Sequence, residues 1–392
     1  MEFESWWLAA IPLFFGLGWA AARVDLRHEP RKRGALPDAY FRGLNFLLNE
    51  QPDKAIDAFI DVVKLDPETV ELHFALGNLF RRRGESDRAI RVHLNLAERV
   101  DLDRSQREHA LFELGQDYLK AGLLDRAEDA FNRLDATEYA GAALRHRMDI
   151  AQMVRDWPLA IDLAERLSRE PGQARSHELA HFRCEMAVRA LQSGSDDRLE
   201  QAARELDLAA RAAPDHPRPF LMAGELAIEQ GDPARAIRLW EAVAANHPAY
   251  LGLIASAWLA AHVAVDQSDA GIDALVQAHR RSPSIDTLAA IADAMERLRG
   301  EAAAMTWVRE ELARHPSLLG LEKLLALQVC GASEEDRMQI ETSQKVLQQH
   351  TQRLARYVCD RCGFKARSHY WQCPGCSRWD TYAPRRIEEM KR

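Results

Sequence analysis

The chain has 392 residues, enough for two or three domains, and 47% of them are hydrophobic, so most of it can bury a core. Ala, Leu, Arg and Glu dominate while aromatics make up only 7%, a mix that favours helices over sheets. A net charge of −8 argues against a general nucleic-acid binder, although basic segments can still exist locally.

The N-terminus carries the first element. Residues 5–22, SWWLAAIPLFFGLGWAAA, contain no charge. A helix of that length spans about 27 Å, close to the hydrocarbon thickness of a bilayer. Trp6 and Trp7 lie at one end and Trp19 near the other, as interfacial aromatics do, and Pro12 is tolerable inside such a helix. Glu2 and Glu4 precede the segment, whereas Arg23, Arg27, Arg31, Lys32 and Arg33 follow it, which puts the C-terminal bulk in the cytoplasm. A cleaved signal peptide ending at Ala20-Ala21-Ala22 would want a positive start, and this one is acidic. The expectation is a transmembrane helix over 1–22 and a basic juxtamembrane linker over 23–35, suited to an anionic leaflet.

The middle repeats itself. Gly43 and Gly77 lie 34 residues apart, as do Ala55 and Ala89, Ala202 and Ala236, and Pro214 and Pro248. Within a unit a glycine precedes an alanine by 12 (Gly115 to Ala127, Gly224 to Ala236), and an alanine precedes a proline by 12 (Ala55 to Pro67, Ala304 to Pro316). Small residues on two helices let them approach closely, proline ends the second helix, and apolar residues such as Phe46, Phe59 and Val62 fill the remainder. No single pair buries its own face, so the pairs must stack. The pattern is clearest in ALGNLFRRRGESDRAIRVHLNLAERV (75–100), FELGQDYLKAGLLDRAEDAFNRL (112–134) and LMAGELAIEQGDPARAIRLWEAVAANHP (221–248). These stretches resemble the tetratricopeptide repeat family. The resemblance implies a solenoid over 36–333 with about eight units, degenerate at 140–175 and 249–283. It also implies a protein-binding groove faced by Asn78, Arg81, Arg82, Gln116 and Lys120, each of which is otherwise a solvated surface residue.

Inside this array lies His177-Glu178-Leu179-Ala180-His181, the H-E-x-x-H spacing by which zinc peptidases hold metal. The repeat frame makes it instead the first turn of a scaffold helix capped by Ser176 and closed near Gly194. Glu200 and Glu205, candidate third ligands by counting, fall on the next scaffold helix.

The strongest motif is YVCDRCGFKARSHYWQCPGCSRW, where Cys359-x-x-Cys362 is followed ten residues later by Cys373-x-x-Cys376. Two such turns present four thiolates to one metal, with Gly363 and Gly375 supplying backbone freedom and Pro374 stiffening the second turn. Disulfides or a redox pair fit a cytoplasmic chain less well. A module of this size needs the metal to hold it, at about 10–16 kcal/mol. Four protein ligands leave no open position, so the metal is structural, and zinc and iron both suit it. Cys-x-x-Cys-Gly and Cys-Pro-x-Cys look like rubredoxin knuckles, which makes iron credible. His369 is expected not to compete, and Cys184 and Cys330 are expected as buried small hydrophobes. Tyr370, Trp371, Trp379 and Tyr382 pack around the site or against the solenoid end. The expected order is a helix over 334–356, the metal module over 357–384, docked on 343–357, and a basic tail over 385–392. Residues 351–392 hold ten Lys or Arg against four Asp or Glu, so an acidic protein, an anionic lipid or nucleic acid could meet this end, nucleic acid being the least favoured.

Taken in order, the membrane segment, the repeats and the four-cysteine motif resemble the lipopolysaccharide assembly protein B family. The resemblance implies an all-α, non-enzymatic regulator at the bacterial inner membrane, single-pass, with a periplasmic N-terminus. It implies action with the FtsH protease on the LpxC deacetylase and with other inner-membrane lipopolysaccharide assembly proteins. It carries Cys359, Cys362, Cys373 and Cys376 over as metal ligands; a homodimer is left open. The alternatives are a scaffold for another envelope pathway and a zinc peptidase using His177, Glu178 and His181. No Walker loop, dinucleotide fingerprint or G-x-S-x-G elbow is present.

Overall fold

A computed structural model describes residues 15–19, 41–43, 45, 46, 49, 51–65, 69–169 and 175–390. Most of the expected membrane segment, the whole basic linker and the Cys330 side chain lie outside these residues. Among the described residues no helix is long and apolar enough to cross a membrane.

The chain forms two compact units, residues 1–143 and 144–392. In the first, antiparallel helices follow one another as Pro52–Leu65, Val70–Arg83, Ser86–Glu98, Arg104–Lys120 and Leu124–Asn132. Short turns separate them: Gly84, at φ 81°, ends Val70–Arg83 with its N–H on the Arg81 and Phe80 carbonyls. Asp103 opens Arg104–Lys120 through a reciprocal capping box with Gln106. The core includes Ala55, Ile56, Phe59, Leu72, Leu76, Leu79, Phe80 and Ala89, with Val70, Phe74, Leu96, Leu102 and Ala110 in a second cluster and Phe131 and Leu134 also buried.

The second unit continues the pattern. Its pairs include Ser176–Gln192 with Arg198–Ala212, Pro217–Glu229 with Pro233–Asn246, and Ile285–Arg299 with Glu301–Arg314. The degenerate stretch after Pro248 starts with a 3-10 turn, Pro248–Leu253, before a short helix Ala255–Ala264. A continuous core runs through Leu221, Trp240, Leu251, Trp258, Ile272, Ile291, Val308 and Leu327. Glu334–Thr351 ends at Thr351, short of the expected 356, and residues 352–355 form turns. Ser176 is the first helical residue of its helix, not its cap; Arg175 stands there and makes no side-chain cap bond.

The close approach expected of the small residues is visible, with a partner that the periodicity did not name. A Cβ on Gly43 would meet the Phe59 ring at 2.8 Å, on Gly77 the His93 ring at 2.4 Å, on Gly115 the Phe131 ring at 2.7 Å and on Gly224 the Trp240 ring at 2.1 Å. In each case the ring stands sixteen residues after the glycine. Each first helix thus leaves a notch, and the second helix fills it with a ring.

Gly224→Ala should therefore cost about 2–4 kcal/mol, because the new methyl displaces Trp240 and strains its Nε1–H bond to the Leu221 carbonyl (3.1 Å). Denaturant unfolding measures this, and an unchanged midpoint would remove the interlock as a stabilising element.

Candidate metal centre

Residues 357–384 form a small module. Tyr357–Val358 and Lys365–Ala366 pair antiparallel, with Tyr357 opposite Ala366, and isolated bridges link Cys359 to Tyr382 and Gln372 to Trp379. Each Cys-x-x-Cys closes as a tight turn, Gly363 N–H donating to the Cys359 carbonyl and Ser377 N–H to the Cys373 carbonyl (2.9 and 2.8 Å). The residue after each turn is left-handed, at φ 74° for Gly363 and 54° for Ser377. Gly375 is not left-handed, contrary to the expectation that both glycines supply that freedom. It is small because Phe364 packs on it, 3.2 Å from where a Cβ would stand.

The sulfurs of Cys359, Cys362, Cys373 and Cys376 all lie within 4.8 Å of one another, with Cys359–Cys376 at 3.8 Å and Cys362–Cys373 at 3.6 Å. A tetrahedron of thiolates about 2.3 Å from one ion has edges of about 3.8 Å, so the donor set fits a single tetrahedral metal. His369 stands apart, its Nε2 on the Tyr382 carbonyl at 3.2 Å. Tyr382 is buried in the module and Tyr370 is exposed.

The two tryptophans flank the second knuckle and leave the module. Trp379 stacks on His181 (ring centroids 4.3 Å apart) and meets Trp157 edge-on, while its Nε1–H donates to Gln152 (2.8 Å). Trp371 stacks on Tyr250 at 5.4 Å, nearly parallel. The Arg218 guanidinium lies over both rings, 5.7 Å from Trp371 and 5.5 Å from Trp379. Asp380, between these contacts, accepts from His181 Nε2 at 2.9 Å and from His216 Nε2 at 3.2 Å. The tail adds a second set. Arg386 pairs with Asp286, to which the Tyr357 hydroxyl also donates, and Glu388 accepts from the Leu318 and Leu319 N–H groups.

This corrects the expected docking place. The module sits on the starts of Ser176–Gln192, Pro217–Glu229, Ile285–Arg299 and Leu318–Gly331, and on the 3-10 turn. Of 343–357, the tail touches only the end: Ile387 N–H donates to the Arg356 carbonyl and Arg386 to that of Ala355. Sequence reasoning missed Gln152, His216, Arg218, Asp286 and Asp380. The available signal was two tryptophans beside a knuckle whose own core could not use them.

The hydrogen bonds fix the histidine tautomers. His181 Nδ1 accepts from Arg218 (3.1 Å) and His216 Nδ1 from the Arg218 backbone N–H (3.3 Å), so both Nε2 atoms carry the proton that goes to Asp380. His177, His216 and Asp380 are close enough to hold an ion, but in this tautomer His216 offers no lone pair there. The peptidase reading fails on the same geometry. His181 is buried with both nitrogens engaged, and Glu178 is paired with Arg175. Burial pushes His181 down to about 4. Burial opposes the charge of Asp380 as well, but its hydrogen bonds from His181 and His216 hold it well below the usual carboxylate range. Cys184 is buried, and its thiol is pushed up to about 12.

The groove residues lie in the first unit. Arg81 is engaged: it bonds Asn78, Glu113 and, at 2.8 Å, Asp117, which also receives buried His93 (2.5 Å). Burial opposes the Glu113 charge, and hydrogen bonds from His109 and Arg81 hold it down to about 2. Arg82 and Lys120 are exposed, and Gln116 is half-buried.

Known proteins match this arrangement. The rubredoxin metal binding domain model matches residues 357–384, and the tetratricopeptide repeat model matches 42–103 and 221–284. Lipopolysaccharide assembly protein B of Escherichia coli K12 is 34% identical over 377 residues, covering 95% of this chain and 96% of that protein. The chain belongs to the lipopolysaccharide assembly protein B family. The Haemophilus influenzae protein of that name is 28% identical over 385 residues, with the same coverage. A Cytophaga hutchinsonii tetratricopeptide repeat structure covers 64% of this chain and 99% of its own at 14% identity and a TM-score of 0.39. Family and repeat architecture together mark a non-enzymatic scaffold with a structural metal.

Because the folded value of His181 lies below that of a free histidine, the unfolded chain takes up its proton first. The stability of the second unit should fall as pH drops from about 6.5 to about 4, by roughly 2–4 kcal/mol from this group, with Asp380 adding a loss below that. Denaturation of wild type and His181→Asn across this range tests it; equal slopes would acquit His181.

Proposed function

We propose that this protein is a membrane-anchored, non-enzymatic adaptor that regulates lipopolysaccharide synthesis by bringing a client enzyme to a membrane protease. The observation that carries the reading is family membership over nearly the whole chain, joined to a repeat array whose metal module is clamped to it. The family resemblance supplies the proposed partners, FtsH and LpxC, and other inner-membrane lipopolysaccharide assembly proteins.

The anchor is residues 5–22, uncharged and followed by five basic residues, in a single pass with the N-terminus in the periplasm. It raises the local concentration of client and protease by holding the repeats at the membrane surface. Exposed Arg82 and Lys120, with Gln116 on the same helix as Lys120, serve as groove contacts; Arg81 shapes that wall through its bonds to Asn78, Glu113 and Asp117.

Cys359, Cys362, Cys373 and Cys376 ligate one zinc or iron ion, whose role is to hold the two knuckles in register. Cys373 and Cys376 lie between Trp371 and Trp379, so the ion also fixes the spacing of the docking residues. Cys373→Ser should lose about one metal equivalent per chain and red-shift the emission of Trp371 and Trp379 as they leave Tyr250 and His181. A Trp371→Phe/Trp379→Phe background should abolish the shift. Retained metal with unchanged emission would contradict the role.

In cells lacking the protein, a chain beginning at residue 36 should fold yet fail to restore normal lipopolysaccharide levels. Restoration by that soluble chain would sink the tethering mechanism. Crosslinking in membranes should capture a protease and a deacetylase; capture of components of another envelope pathway would replace them.

A further inference from the structure

A cavity of about 360 Å³ opens beside the metal module, between the turn after Glu334–Thr351 and the two-stranded ribbon. Gln352, Ala355, Arg356, Arg367 and Arg386 line it. Three arginines on one small wall require an account of their charge.

Arg386 is fully engaged. Its Nε and Nη2 donate to the two Asp286 oxygens (3.0 and 2.7 Å), and its Nη1 to the Ala355 and Arg367 carbonyls (2.6 and 3.2 Å). The nearby Glu389 carboxylate is turned onto the Ile285 and Arg386 N–H groups. Arg356 and Arg367 have no acidic partner among the described residues, and Arg356 Nε is buried without a hydrogen-bond partner. A buried, unmatched guanidinium N–H is costly.

The ribbon register sharpens the point. Tyr357 pairs with Ala366, so antiparallel pairing brings Arg356 and Arg367 opposite one another at the ribbon's open end. Like charges directly opposite are destabilising. An anion in the cavity would relieve both the repulsion and the orphaned donor. Two unmatched guanidiniums suit a group carrying about two negative charges and three acceptor oxygens. A carboxylate offers one charge and two oxygens.

We propose that this cavity binds a phosphate monoester group, held by Arg356 and Arg367 against a wall that Arg386 and Asp286 keep rigid. The group could belong to a soluble phosphorylated molecule or to a lipid headgroup, and the chemistry is the same.

The test uses the full chain in uncharged detergent micelles at low salt. The probes are inorganic phosphate, glucose 1-phosphate and micelles doped with phosphatidic acid, with binding read by calorimetry and by melting temperature. Wild type should bind one equivalent, and Arg356→Gln and Arg367→Gln should each weaken binding at least tenfold with metal content unchanged. Without anion the two variants should melt no lower than wild type, because each removes one of the opposed charges. Phosphate should raise the melting temperature of wild type and not of the variants. Binding of glucose 1-phosphate marks a soluble ligand; a response only to phosphatidic acid marks a lipid one. No binding of any probe, affinity unaltered in both variants, or a response to duplex DNA alone would overturn the proposal.

Discussion

The carboxylate of Asp380 is the constraint on which the second unit's arrangement rests. It accepts one hydrogen bond from His181 Nε2 and one from His216 Nε2, and Arg218 holds the far side of both imidazoles so that these N–H groups point nowhere else. Both imidazoles and the carboxylate find partners within this network, whereas the Arg218 Nε–H is buried without a hydrogen-bond partner. Burial disfavours protonated His181, and the adjacent guanidinium reinforces that preference. The charged Asp380 of the module thereby meets a neutral His181 on the repeats. The aromatic faces of Trp371 and Trp379 exclude water around the join.

Two devices of different character meet there. The repeats are held by shape, with helix against helix. The module has too few residues for a core of its own: Tyr357, Cys359, Ala366, Cys373 and Tyr382 are its buried set, and Leu253 packs on them from the repeats. Metal supplies what packing cannot, and docking buries what the metal leaves exposed. The ends of the module are tied separately, at Asp380 and at Asp286.

The repeat array was legible because its signal is periodic: glycine, alanine and proline recur at fixed offsets, and helices end where the prolines stand, as at Pro214, Pro248 and Pro316. The four thiols were legible because two short turns carry their own spacing. The docking was not. His181 and Asp380 are 199 residues apart, and no local rule links a histidine in one helix's second turn to an aspartate four residues beyond a metal knuckle. The H-E-x-x-H match was correctly assigned to a scaffold helix, yet its second histidine has a specific duty that the repeat frame could not reveal. Gly375 misled for a related reason: glycine signals either a left-handed backbone or a close neighbour, and only the position of Phe364 tells which.

The glycine-and-ring interlock also bears on how such a chain can drift. Phe59, His93, Phe131 and Trp240 are chemically unlike, yet each fills the notch left by a glycine. His93 even carries a buried bond to Asp117 while doing so. What is inherited at these places is therefore a sum of two volumes and not a letter at either position. A change at one site opens or closes the choices at its mate, so substitutions there should travel in pairs. A chain can then keep this architecture while two thirds of its alphabet differs from a relative's, as with the 34% identity found here.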